Sequence, residues 1–329
     1  MQGMGSAGDV QEPAVAGWTP EEPVDVPPLL HWPPPPVRIL RYLFGFPGFY
    51  FPWLALYGLV ALLQWLALQA TRADLARLSA GWIALLLASN ATAAVVVYGS
   101  WHRRLYGRRA QGARFKYNPR WPASQDLSPP FRRPTANNVF WSLCSGVPVW
   151  TAYAVLTLWA QARGIAPVTT WAQAPLYCSA LMLLLPFFHG LHFYAGHRAI
   201  HWEPLYRTVH YLHHRNVNPS PWSGLAMHPV EHLIYFSGAL LLWVIPSTPM
   251  HVLFMTTMVG LVPVHGHSGF GKLVLGRYCM DADNYYHYLH HKYFKVNYGD
   301  NLLIPLDKLF GSFHDGTAAS VARRRAGKG

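Results

Sequence analysis

The chain has 329 residues, of which 52% are hydrophobic, 15% aromatic and only 12% charged, and its formal net charge is +12. That charged share is about half the ~25% of an ordinary soluble domain, too little to coat a water-facing surface, so a lipid-facing protein is implied. The basic excess lies beside apolar stretches, which favours anionic lipid over nucleic acid as its counterpart. The three separated cysteines, Cys144, Cys178 and Cys279, supply neither a disulfide framework nor a sulfur metal site.

In chain order, residues 1–42 include the run Pro33 to Pro36, show no apolar period and read as a loosely ordered Pro-rich tail. No secretory signal is visible there, because the first apolar run starts late and lacks a cleavage pattern. Four apolar runs follow, at Phe49–Leu68, Trp82–Trp101, Val139–Ala160 and Ala174–Ala195. Each approaches the ~20 residues needed to cross hydrocarbon, which predicts a transmembrane domain over 43–195. Trp53, Trp65, Trp82, Trp101, Trp141 and Trp159 sit near the ends of these runs, where amphipathic rings favour the headgroup level.

The loop 102–133 carries Arg103, Arg104, Arg108, Arg109, Arg114, Lys116, Arg120, Arg132 and Arg133 against Asp126. Such a bias marks a cytoplasmic loop. An even number of spans then puts both termini and the C-terminal half on that same side. A further apolar stretch, Leu233–Val264, is broken by Ile245-Pro246-Ser247-Thr248-Pro249 into pieces short for a crossing, so a helical hairpin dipping into one leaflet is expected. The predicted fold is therefore an all-α integral membrane protein. It has about four transmembrane helices, the membrane hairpin 233–264, and a cytoplasmic histidine-rich cap over 196–329 that ends in a basic tail with Arg323-Arg324-Arg325.

Fifteen of the eighteen histidines fall between His189 and His291. His197 and His201 stand four apart in HRAIH; His210, His213 and His214 form HYLHH; His287, His290 and His291 form HYLHH again. Helical positions i, i+3 and i+4 share a face, so each box can aim two or three imidazoles at one point. Imidazole is a general nitrogen ligand for first-row metals, and eight such rings exceed what one ion takes, which predicts two ions. His228 and His232 in MHPVEH and His265 and His267 in VHGHSGF are further candidate ligands, whereas His189 and His192 are expected to support the ligands by hydrogen bonds. His31, His102, His251 and His314 fit no box.

At HRAIH and the two HYLHH boxes the sequence resembles the fatty acid hydroxylase and sterol desaturase superfamily. The resemblance extends through Met227-His228-Pro229-Val230-Glu231, through YYHYLHHKYFKVNYGD and through Pro305 to Ser312, which are similar to sterol C-5 desaturases, and spans roughly 174–314. The acidic and Tyr-Trp residues usual ahead of the H-R pair are here Gly190 and Tyr194-Ala195. The resemblance implies a membrane di-iron oxidoreductase. It would use O2 to hydroxylate or desaturate a lipid C–H bond, with electrons from an external donor such as a cytochrome b-type protein or a ferredoxin with its reductase; zinc could replace iron in a preparation.

Two rival readings exist. His228, Glu231 and His232 match the H-x-x-E-H pattern of a zinc metalloprotease, with Pro229 awkward inside the helix that pattern requires. A haem-binding electron carrier would instead use paired histidines inside the membrane.

Overall fold

The computed structural model describes residues 17–122, 130–131, 133–282 and 284–326; Asp126 and Arg132 of the basic loop lie outside the described residues. Helix dominates, with one two-stranded antiparallel sheet, β1 (Lys272–Leu275) and β2 (Tyr278–Asp281), in register Lys272 to Asp281.

Within the Pro-rich segment, Pro36 opens helix α1 (Pro36–Phe44) from the first-turn position where its missing N–H costs nothing. The helix exposes Val37, Leu40 and Phe44, and Arg38 and Arg41 stand beside them, a pattern suited to the headgroup layer. The Trp18 ring packs edge-on to Phe115, and the Trp18 backbone N–H donates to the Lys116 carbonyl, so the start of the described chain is bound to the basic loop.

Helix α2 (Trp53–Leu68) has 16 residues, giving a length of about 24 Å. Among the described residues, three longer helices have the length and apolar composition to cross a membrane: α3 (Ala80–Gly107), α4 (Pro134–Ala162) and α5 (Pro175–Ile200). Leu59, Leu63 and Leu66 of α2, Val96 of α3, Leu156 of α4 and Leu184 of α5 are exposed. Such outward leucines and valines are stable in hydrocarbon and costly in water. The chain is thus a multi-pass, all-α membrane protein.

The stretch expected to dip into one leaflet folds as α6 (Pro229–Phe236), a 3-10 stretch Ser237–Trp243 and α7 (Pro249–Leu261). Its second arm differs from a leaflet-dipping helix: every residue from His251 to Leu261 is buried, and α7 packs against α2, α3, α4 and α5. Polar side chains explain this position. Thr257 Oγ1 donates to Gln64 Oε1 at 2.8 Å, Gln64 Nε2 to Asn90 Oδ1 at 2.7 Å, and Asn90 Nδ2 to Thr151 Oγ1 at 3.0 Å. This relay joins all four helices α7, α2, α3 and α4, and its groups would be unsatisfied against lipid. Close approach is allowed by Gly260, where a Cβ would lie 2.5–2.7 Å from the Trp150 indole of α4.

Beyond the bundle, the cap contains α8 (Tyr285–Tyr293), α9 (Ile304–Leu309) and α10 (Ala318–Arg325). The basic loop is folded onto it through the Gly271 N–H to Phe115 carbonyl and Tyr117 N–H to Gly269 carbonyl bonds. Lys116 is buried, and Nζ donates to the carbonyls of Asn118 and Arg120 and to Asn218 Oδ1.

Candidate metal centre

Helix α5 leaves the bundle carrying His197 in its last turn and His201 at its C-cap. The chain then makes the π-helical turn Tyr206–His210 and the short helix Tyr211–His214, which present His210, His213 and His214. His267 follows the turn Pro263–Gly266, and α8 supplies His287, His290 and His291.

These nine rings fall into two groups whose ligand atoms lie within 4.8 Å of one another: His197, His201, His210, His214 and His290; and His213, His267, His287 and His291. Each HYLHH box is therefore divided between the groups, a correction to the expectation that one box serves one point. Helix geometry is the reason: the i,i+4 pairs His210/His214 and His287/His291 share a face, whereas the adjacent His213/His214 and His290/His291 diverge by about 100°.

The hydrogen bonds assign the tautomers. Nδ1 of His213 donates to the Ala226 carbonyl at 3.3 Å, and Nδ1 of His267 to that of Pro263 at 2.9 Å. His197 and His290 do the same to Tyr298 and Val296 at 2.7 and 2.6 Å. Their protons thus placed, the inward Nε2 atoms carry lone pairs, and His213 Nε2 faces His267 Nε2 at 3.1 Å with no proton between them. His267 also faces His291 at 3.0 Å, and His290 faces His214 at 3.0 Å. Burial holds the rings neutral: it pushes His210, His213, His214, His287, His290 and His291 well below the usual imidazole range, assisted by neighbouring rings, and His267 down to about 4. Lone pairs converging this closely in a dry site repel unless a cation lies among them. The donor set fits borderline transition-metal ions; Nδ1 of His197, His213, His267 and His290 is held by a carbonyl, as ligand rings require, whereas Nδ1 of His214 and His291 is buried without a partner.

His228, His232 and His265, expected as candidate ligands, stand outside both groups. His228 is the N-cap of α6, its Nδ1 accepting from the Val230 N–H at 3.2 Å. His232 is buried against α4, 3.0 Å from Ser145 Oγ and 3.1 Å from the Leu225 carbonyl. One turn of α6 thus aims Glu231 instead at the centre: Oε1 accepts from His210 Nδ1 at 2.8 Å. Burial raises the Glu231 carboxyl well above its usual range, and Oε1 can accept in either ionisation state. The sequence marked Glu231 as a protease base and as part of the desaturase-like stretch Met227–Glu231; its spacing from the ligand boxes carried no hint of this contact. Also missed was Asp307, buried and accepting from Tyr286 Oη at 2.6 Å and from the Tyr298 N–H at 3.2 Å, which steadies the loop whose Tyr298 carbonyl orients His197.

His189 and His192 do not bond the clustered rings; His192 Nε2 pairs with Ser237 Oγ at 2.9 Å, and His189 lines a cavity. That cavity, about 270 Å³, runs from His189 and Phe193 of α5 past Ile234 and Tyr235 of α6 to His197, His210, His213, His267 and His287. Rings from both groups therefore line one largely apolar space. His265 packs between Trp53 and Trp101 and pairs with Tyr57 Oη, and His251 is tied to Thr248 and the Cys178 carbonyl.

Residues 182–312 match the fatty acid hydroxylase family. A Delta(7)-sterol 5(6)-desaturase of Aspergillus fumigatus is 32% identical over 150 residues, covering 38% of this chain and 45% of the relative. One from Saccharomyces cerevisiae is 30% identical over 132 residues, 39% and 34% of the two chains, and a methylsterol monooxygenase of A. fumigatus is 29% identical over 143 residues, 41% and 47%. The chain thus spans between about a third and a half of the length of these relatives. No solved structure matches it.

Proposed function

We propose that this chain, whose histidine-bearing segment belongs to the fatty acid hydroxylase and sterol desaturase superfamily, is a membrane oxidoreductase that uses O2 to hydroxylate or desaturate a lipid. The observation that carries the reading is the pair of imidazole groups whose lone pairs converge beside one largely apolar cavity that rings of both groups line. We assign one iron ion to each group: His197, His201, His210, His214 and His290 to the first, His213, His267, His287 and His291 to the second. Bound there, iron would supply the reductive activation of O2 that attack on an unactivated C–H bond demands.

The chain's own residues perform the remaining tasks. Phe193, Ile234 and Tyr235 line the space that would take the lipid and exclude water from the reacting carbon. His189, Phe193, Gly196, His197 and Ile200 follow one face of α5, so a lipid moving along that face arrives at the centre. Glu231 and the carbonyls of Ala226, Pro263, Val296 and Tyr298 keep the Nδ1 protons outward and the lone pairs inward. Hydroxylation consumes one O2, two protons and two electrons from outside and releases one water with the alcohol; desaturation uses the same inputs and releases two waters. An external one-electron carrier, a cytochrome b-type protein or a ferredoxin, is the donor in this reading, and the centre faces the cytoplasm, as the basic loop argues. Relatives named for sterol substrates make sterols the first lipid class to test.

The metalloprotease reading is disfavoured, because His228 and His232 point to different partners and Glu231 is bound to His210. The test combines metal analysis of the purified protein with mass spectrometry of lipids from cells expressing it. Two irons per chain and a lipid gaining one oxygen or losing two hydrogens are expected; a single bound ion, or an unchanged lipid extract from cells with an intact electron supply, refutes the assignment.

A further inference from the structure

A second cavity, about 460 Å³, lies among the segments that follow α8. Its wall carries Lys295, Lys308, Arg323 and Arg324, drawn from the turn after α8, from α9 and from α10. Asp25 lies 3.8 Å from Lys308, and Asp315 accepts from the Thr317 hydroxyl and N–H, so carboxylates offset only part of this charge. His314, at the floor, is 2% exposed. Its Nδ1 accepts from the Gly316 N–H at 3.1 Å, which leaves Nε2 as a donor, and that buried atom has no partner. Cations with a buried unsatisfied donor beneath them want an anionic acceptor.

The cavity also touches the metal centre's support. Val296 lines it, and the Val296 carbonyl is the group that accepts from His290 Nδ1 at 2.6 Å. A single hydrogen bond therefore separates the basic cavity from an imidazole of the first group. Cations are engaged on both surfaces: in the 102–133 loop Arg104 donates to the Val274 carbonyl of β1, and Arg109 and Arg114 lie over Trp121 and Phe115 of the loop itself at 4.2 and 4.8 Å, while in the cavity Arg324 lies over Tyr293 and Lys308 over Phe313, each at 4.9 Å, and Arg323 donates to Ser320 Oγ at 2.7 Å.

We infer that the cavity formed by Lys295, Lys308, His314, Arg323 and Arg324 is the docking surface for an acidic, one-electron carrier protein, whose carboxylates enter it beside the Val296–His290 contact. This rests on the oxygenase reading and adds to it where the donor binds. A carrier seated here gives up one electron per encounter and leaves oxidised, so two encounters supply one turnover. Complementary charge would chiefly speed association, and salt would weaken it. The direct link to His290 favours a redox partner over a lipid headgroup, which needs charge alone.

The experiment uses the full chain in nanodiscs and two probes, a soluble acidic b-type cytochrome and an acidic ferredoxin. Wild type is compared with Lys295→Glu/Arg323→Glu/Arg324→Glu and with Arg108→Glu/Arg109→Glu in the loop. Binding, carbodiimide cross-links located by mass spectrometry, oxidation of the pre-reduced carrier and metal content are measured. The cavity variant is expected to keep its metal yet bind the carrier about tenfold more weakly at low salt, with the gap closing as salt screens exposed charge. Cross-links should fall on Lys295 and Lys308. Failure of wild type to bind either probe, equal binding by the cavity variant, or loss of binding in the loop variant alone overturns the inference. So does a cavity variant that loses only its binding to vesicles containing anionic lipid, which assigns the cavity to headgroups. Oxidised lipid in expressing cells, assayed separately, keeps the oxygenase reading standing if docking fails; carrier binding without metal or product would sink the oxygenase reading instead.

Discussion

His213 Nε2 and His267 Nε2 face each other at 3.1 Å while each ring donates its Nδ1 proton outward, to the carbonyls of Ala226 and Pro263. Two acceptors in contact, in a buried site, make a cation the natural occupant of the space they share. The division of nine rings into two groups makes the first prediction quantitative. His267→Ala should remove the metal of the second group, and His214→Ala that of the first, leaving at most about half the wild-type content while the protein stays in the membrane. Elemental analysis of the solubilised variants measures this; undiminished metal in either variant contradicts the grouping.

Glu231 should behave as a holder of His210 rather than as a base. Glu231→Ala is expected to weaken metal binding 10–100-fold, the usual range of about that size for loss of a partner to a ligand ring, and Glu231→Gln should recover much of it because an amide oxygen still accepts. His228→Ala should leave metal content and lipid oxidation nearly intact. A metal titration of the three variants separates these roles, and loss of all metal in His228→Ala would contradict the placement of that ring.

Ile234 and Phe193 flank the cavity between the bundle and the histidines. Ile234→Trp should fill it, so lipid oxidation falls at least about tenfold with metal content unchanged, since the added ring occupies space the substrate needs. Product formation and metal analysis on one preparation decide the matter: full turnover would place the lipid path elsewhere.

Gly260 of α7 packs directly against the Trp150 indole of α4. Gly260→Ala would press a Cβ against the Trp150 indole, where 2.5 Å is available. Overpacking of this kind costs about 1–3 kcal/mol, so thermal unfolding in detergent should shift downward. The double variant Gly260→Ala/Trp150→Leu should recover part of the loss, because the smaller side chain yields the space. A single variant as stable as wild type would mean that the two helices can separate freely.

Much of this was legible along the chain. The scarcity of charge and the apolar runs required a helical membrane protein, because lipid tolerates only backbone that satisfies its own hydrogen bonds. The i, i+3 and i+4 spacing in the boxes required convergent imidazoles, because that spacing repeats on one helical face. Local pattern could not say which centre each ring serves. The grouping of each half-box with rings from other segments, the exclusion of His228 and His232 and the recruitment of Glu231 depend on the angle at which α6, α8 and the turn Tyr206–His210 meet. The enclosure of α7 was likewise hidden, since the polar relay from Thr257 through Gln64 and Asn90 to Thr151 joins residues up to 193 positions apart. Sequence determines what each segment must bury or satisfy, through short-range periodicity; only the packed structure decides which distant partner satisfies it, because hydrogen-bond and ligand geometry act across a few ångströms of space and not along the chain.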